Sequence, residues 1–66
     1  MEEWTTTFVN DPDDDYRLTL ELEYDDEVVA VIKKVDGKAI LTTYKEIDIP
    51  SEWLEEQMER ARTEIE

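Results

Sequence analysis

A strict two-residue alternation between positions 16 and 24 is the feature that most limits the folds open to this chain. Apolar or aromatic side chains occupy every second position, at Tyr16, Leu18, Leu20, Leu22 and Tyr24, with polar residues between them. Because side chains of a β-strand point alternately to the two faces of a sheet, this period predicts a strand with one buried and one hydrated face. Such a strand needs neighbouring strands and a layer that covers its apolar face.

Three further segments have the composition of strands. They span residues 4–9, 28–35 and 39–44. The second of these is apolar on both faces over most of its length, which is typical of a central strand. Asp36-Gly37 lies between the last two strands and is a strong signal for a two-residue hairpin turn, which would set Val35 opposite Lys38.

The sequence leaves the register of the preceding hairpin open. A two-residue turn at residues 25–26 would place Leu22 opposite Val29. A three-residue turn at residues 25–27 would place Leu22 opposite Ala30 instead. Because both partners are apolar, the hydrophobic pattern does not choose between the two registers.

The C-terminal segment, about residues 50–65, predicts an amphipathic helix. Pro50 suits a first helical position, and the apolar stripe consists of Leu54, Met58, Ala61 and Ile65. We therefore predict a single α+β domain over residues 1–66, with a four-stranded antiparallel β-meander and one C-terminal helix packed on one face (ββββα). The helix is expected to cover the apolar row of residues 16–24.

The charge balance restricts the partners that such a domain can have. The chain has 66 residues with 20 Asp or Glu against 7 Lys or Arg, a formal net charge of -13. A field of this sign repels nucleic acid and anionic membrane surfaces and attracts basic proteins. We therefore expect a basic protein partner, no direct binding to nucleic acid or membrane, and a monomer rather than a homodimer because like charges repel.

The residue inventory argues against an enzyme and against a metal or cofactor site. The chain has no His and no Cys, and its one Ser, Ser51, is interpreted as a helix-start residue. Asp11, Asp13 and Asp15 have a spacing that resembles the start of an EF-hand calcium loop. Tyr16 stands where that loop requires Gly, and Leu22 where it requires Glu, so we expect a solvated turn instead.

The acidic residues of the loop, the alternating strand and the next turn are the candidate partner-binding residues. They are Asp13, Asp14, Asp15, Glu21, Glu23, Asp25, Asp26 and Glu27. Alternate residues of a strand lie about 6.6 to 6.8 Å apart on one face, and each strand of a DNA duplex carries one charge per ~3.4 Å of axis. A stiff acidic strand could therefore imitate part of a phosphate track.

Two other groups of residues are expected to have structural roles. Trp4 and Trp53 are interpreted as core residues, Trp4 at one end of the sheet and Trp53 beside the helix stripe. Lys33, Lys34 and Lys38 form a basic cluster near the second hairpin tip, where we expect them to pair with Glu residues of neighbouring strands.

These observations favour a small, acidic, non-enzymatic binding protein of the cytoplasm. Its function would be to block a basic protein, such as a DNA- or RNA-binding or defence enzyme, as a nucleic-acid mimic. The alternative is a designed or generated stable scaffold without an evolved partner. The regular alternation of residues 16–24 and the Asp36-Gly37 turn favour the alternative, whereas the two-sided run of residues 28–32 does not.

Overall fold

The protein is a four-stranded antiparallel sheet with one helix on one face. The structure, a computed structural model, describes residues 3–65 and, at Asp14, the backbone only. Its elements are β1 (Trp4–Asp11), a 3-10 turn (Pro12–Asp14), β2 (Arg17–Tyr24), β3 (Glu27–Val35), β4 (Lys38–Thr43) and α1 (Ser51–Glu64). The strands lie in the order β1-β2-β3-β4, which confirms the predicted ββββα fold.

The core lies between the sheet and α1. Cross-strand pairing sets Leu20 beside Ile32 and Leu22 beside Ala30, and all four side chains are fully buried. The helix contributes Ala61, and Ile65 just after it is also buried. Partly buried side chains pack around this cluster from every strand except β3, from α1 and from the segment between β4 and α1. We call the covered side of the sheet the helix face and the other side the open face.

The second hairpin has the predicted register. Asp36 and Gly37 have φ angles of 53° and 79°, both in the left-handed region that a two-residue turn of this type requires. Val35 is paired with Lys38, and the ladder continues to Ala30 opposite Thr43. The two-residue turn therefore fixes which residues of β3 and β4 face the helix.

The first hairpin combines the two registers that the sequence left open. Its turn has two residues, Asp25 and Asp26, with φ angles of 55° and 68°. The pairing shifts between Leu22 and Glu23, because Val29 is an extra residue in β3, and Leu22 is then opposite Ala30. This β-bulge lets a tight turn coexist with burial of Val29 and Ala30, both of which are fully buried.

The prediction that Tyr16 begins the apolar row of β2 is wrong. Its φ is 59°, its side chain is 68% exposed, and β2 starts only at Arg17. The chain reverses direction after the 3-10 turn through two left-handed residues, Asp15 and Tyr16. Asn10 Nδ2 donates to the Tyr16 carbonyl at 3.0 Å, and Tyr16 N donates to Asp11 O at 2.8 Å, so the reversal is held by hydrogen bonds.

The helix begins one residue later than predicted and presents the predicted stripe to the core. Leu54 N donates to Pro50 O at 2.8 Å, so Pro50 precedes the first helical residue, Ser51. Trp53 lies next to the stripe, and its ring centroid is 4.9 Å from that of Trp4. Trp4 also lies 4.9 Å from Tyr24, so this aromatic cluster closes one end of the core and both Trp residues have the expected structural role.

The expected pairing of the lysine cluster with Glu residues is wrong for Lys33 and Lys34. Lys34 Nζ donates to the Arg62 and Ile65 carbonyls at 3.0 and 2.9 Å. A cation at this position satisfies carbonyls that have no partner at a helix C-terminus and interacts favourably with the helix dipole. Lys33 Nζ lies 3.6 Å from Asp11 Oδ2 at the end of β1. The sequence pattern could not show these contacts because they depend on the path of the helix and the loop.

We predict that Lys34→Met destabilises the fold by about 1 to 2 kcal/mol, because two charge-assisted hydrogen bonds at the helix C-terminus are lost. Lys38→Met is the matched control, since Lys38 is exposed beside the second hairpin turn. Its expected change is within about 0.5 kcal/mol. Urea unfolding followed by circular dichroism measures both variants, and equal effects would show that Lys34 does not anchor the helix.

Candidate acidic interface

Glu21 and Glu23 lie on the open face of β2. They are paired with Thr7 and Thr5 of β1, and the alternate residues Leu20 and Leu22 point to the helix. Thr5 Oγ1 donates a long hydrogen bond of 3.4 Å to Glu23 Oε1. Glu21 and Glu23 are each half-buried. Strand geometry holds their Cα atoms about 6.6 to 6.8 Å apart.

The first hairpin turn extends this row of carboxylates beyond the end of β2. Asp25 and Asp26 are exposed, and Asp25 N donates to Glu3 O at 3.2 Å, which attaches the turn to the start of β1. Glu27 is also exposed, but its Oε1 lies 3.1 Å from Lys45 Nζ. We therefore define the β2 ridge as Glu21, Glu23, Asp25 and Asp26.

The aspartates of the 3-10 segment lie at the opposite end of β2. An eight-residue strand separates them from the first hairpin turn, which corresponds to roughly 25 Å. Asp13 and Asp15 are exposed, and Asp11 Oδ1 accepts a hydrogen bond of 3.0 Å from Asp13 N. The side chain of Asp14 lies outside the part that the structure describes. Residues 13–15 thus lie beyond one end of β2 and residues 25–27 at the other, with Glu21 and Glu23 on the strand between them.

Cations share the open face with the β2 ridge. The strand register places Arg17, Lys33 and Lys38 on this face, with Lys33 close to Asp11. Exposed apolar side chains, Ile40 and Tyr44, also lie there. Among the described residues, the open face thus carries both signs of charge, and the ridge has a defined position and direction on it.

A second acidic surface covers the outside of α1 and the segment before it. Its exposed members are Glu46, Asp48, Glu52, Glu55, Glu56, Glu59 and Glu64. Two of them form ion pairs within the helix, Glu64 with Arg60 at 3.7 Å and Glu59 with Arg62. The candidate residues chosen from the sequence omit this surface. The sequence contains a signal for this surface, because the glutamates of the helix after Leu54 fall between the residues of the apolar stripe.

A shallow depression of about 280 Å³ lies beside the ridge on the open face. Thr19 and Val31 form its buried floor, and Glu21 and Tyr44 contribute to its wall. Thr19 Oγ1 donates to Val9 O at 3.4 Å. Within residues 3–65 as described, no group of three or more acidic side chains is arranged to hold a metal ion.

Comparison with known proteins gives no relative for this chain: no family model, curated protein or solved structure matches it. In the described part of the chain, no helix has both the length and the apolar composition needed to cross a membrane.

Asp25 and Asp26 also have a structural role, because both adopt the left-handed conformation of the turn. We predict that Asp25→Asn with Asp26→Gly removes two charges and keeps or raises stability, because Asn and Gly adopt left-handed φ angles readily. Asp25→Ala with Asp26→Ala removes the same charges and should cost about 1 to 2 kcal/mol. Urea unfolding compares the two variants, and equal stabilities would contradict the proposed role of the turn.

Proposed function

We propose that this protein is a small, non-enzymatic binding protein that docks its acidic surface on a basic protein and blocks the site where that partner binds nucleic acid. The β2 ridge is the proposed contact, and it acts as a mimic of a short stretch of phosphate backbone. The observation that carries the proposal is the position of Glu21 and Glu23 on one face of a central strand, continued by two exposed turn aspartates.

The excess of negative charge is compensated only in part within the molecule. Four ion pairs between acidic and basic side chains occur among the described residues, against 20 acidic residues in the chain. Uncompensated carboxylates on a small domain produce a field that extends about 8 to 10 Å at physiological salt. Such a field accelerates association with a basic partner and disfavours acidic ones.

The support beneath the ridge is stiff, which favours a shaped interaction over a diffuse one. β2 is paired along its length with β1, and the middle of its other neighbour, β3, is buried. Rigid charges lose little conformational entropy when a partner binds, in contrast to charges on a disordered acidic tail. The ridge therefore supports recognition of a basic groove of matching spacing.

Affinity capture from cell lysate across a salt series tests this proposal. We expect a retained basic nucleic-acid-binding protein that high salt releases and that double-stranded DNA displaces. Both effects follow if carboxylates occupy the site of the phosphates. Absence of any retained protein at low salt would contradict the proposal and favour a stable scaffold without a partner.

A matched pair of charge reversals locates the contact. Glu21→Lys with Glu23→Lys should weaken binding of the captured partner by at least about tenfold, since two close charge pairs become repulsive. Glu55→Lys with Glu59→Lys makes the same change in net charge on the exposed surface of α1 and should have a smaller effect. The opposite order of effects would place the contact on the helix.

A further inference from the structure

β1 is an edge strand with an unusual lack of charge. The seven residues 4–10, Trp-Thr-Thr-Thr-Phe-Val-Asn, carry no charged side chain, although 41% of the chain is charged. β1 is eight residues long, and none of its residues is buried. Proteins usually protect an exposed edge with charged residues, proline or a bulge, because its free backbone groups pair readily with another strand. The described part of β1 has its one charged residue, Asp11, at its end.

The hydrogen bonds of the sheet show which backbone groups of β1 are free. Asp25 N donates to Glu3 O, so the backbone of Glu3 points towards β2. Backbone groups alternate in direction along an antiparallel strand, so the odd-numbered residues of β1 also point to β2. The even-numbered residues point away from the sheet. They are Trp4, Thr6, Phe8 and Asn10.

Carboxylates surround this uncharged edge. Glu3 precedes β1, Asp11 ends it, and Glu21 and Glu23 lie on the adjacent strand at the open face. On the helix face, Arg60 Nη1 donates to Thr6 Oγ1 at 2.9 Å and its guanidinium lies 5.2 Å from the centre of the Phe8 ring.

Arg60 is the cation on that side of the edge, and it is itself flanked by carboxylates. Glu56 and Glu64 lie one turn before and one turn after it on the same side of the helix, and Glu64 forms an ion pair with it at 3.7 Å. On the helix face an added strand would meet Phe8 and Arg60, so its cationic side chains would find carboxylates on the open face.

The other edge strand, β4, contains a cation, whereas β1 contains none. β4 is six residues long, begins with Lys38 and is followed by Lys45. Lys45 is paired with Glu27, so a basic strand that added to β4 would meet Lys38 beside the second hairpin turn. Charge complementarity therefore selects β1 for a basic partner.

We infer that the β1 edge is the addition site for an extended, basic segment of the partner protein, which joins the sheet as a fifth strand. This inference rests on the proposed function, because it assumes a basic partner. Backbone hydrogen bonds with the even-numbered residues of β1 hold the segment, its alternate Lys or Arg side chains lie on the open face beside the β2 ridge, and the apolar side chains between them lie on the helix face.

Amide hydrogen exchange on the intact protein tests the inference. The probe is a synthetic peptide that alternates lysine with valine and has the eight-residue length of β1. We expect exchange at Thr6, Phe8 and Asn10 to slow on the order of tenfold or more when the peptide is bound, because their N–H groups gain partners. Exchange at Thr5, Thr7 and Val9, which already face β2, should change less. A peptide that alternates glutamate with valine is the charge control and should leave all these amides unchanged.

A pair of variants at one position separates the backbone contribution from the side-chain contribution. Thr6→Pro removes an outward N–H, which an edge strand tolerates, and should weaken peptide binding on the order of tenfold. Thr6→Val also loses the contact with Arg60 but keeps the N–H, and should bind as the native protein does. If the Thr6→Pro variant fails to fold, amide hydrogen exchange of the native protein with the lysine peptide remains the test.

The outcomes separate this inference from the proposed function. If the lysine peptide binds but does not slow exchange at Thr6, Phe8 and Asn10 more than at their neighbours, strand addition is overturned and the acidic-surface proposal stays intact. Failure to bind the lysine peptide and to retain any basic partner would overturn both. Protection of the same amides without peptide, growing with protein concentration, would show instead that the edge pairs with a second copy of the chain.

Discussion

Two left-handed turns determine how this sheet divides its side chains between core and solvent. Asp25-Asp26 and Asp36-Gly37 each reverse the chain in two residues, and both need positive φ angles that few residue types adopt without strain. A change of one residue in either turn would exchange the two faces of the following strand. Burial of Leu20 and Leu22 on the helix face and the position of the β2 ridge on the open face both depend on these turns, and the bulge at Val29 adjusts the register between them.

The sequence was sufficient to predict the elements and the second hairpin, because each has a local chemical cause. The Asp36-Gly37 turn sets the β3–β4 register without help from the rest of the molecule. The bulge could not be predicted, since Val28, Val29 and Ala30 are all apolar and any of them could be buried. Tyr16 fits the alternation of β2 equally well, but the closure of the 3-10 loop requires its left-handed conformation.

The candidate site was predictable to the same degree. The alternation of β2 was enough to place Glu21 and Glu23 on one face, because that requires only the period of a strand. The separation of residues 13–15 from residues 25–27 follows from the length of β2, which the sequence also contained. The contact of Lys34 with the helix carbonyls and that of Arg60 with β1 join residues far apart in the chain, and no local pattern reports them.

Both proposals depend on the same excess of charge: the carboxylates on this stiff sheet outnumber the cations of the molecule that could neutralise them. Charge brings a basic partner to the surface, and the uncharged edge of β1 offers it backbone groups with which to pair.

The dependence of the isolated protein's stability on salt is the most direct test of this uncompensated charge. Urea unfolding at neutral pH in increasing KCl, from about 10 mM to about 500 mM, should show a free energy of unfolding that rises by about 1 to 2 kcal/mol, because added ions screen the repulsion between carboxylates. A free energy that stays constant or falls with KCl would contradict the account, since it would mean that the acidic side chains are already compensated within the fold.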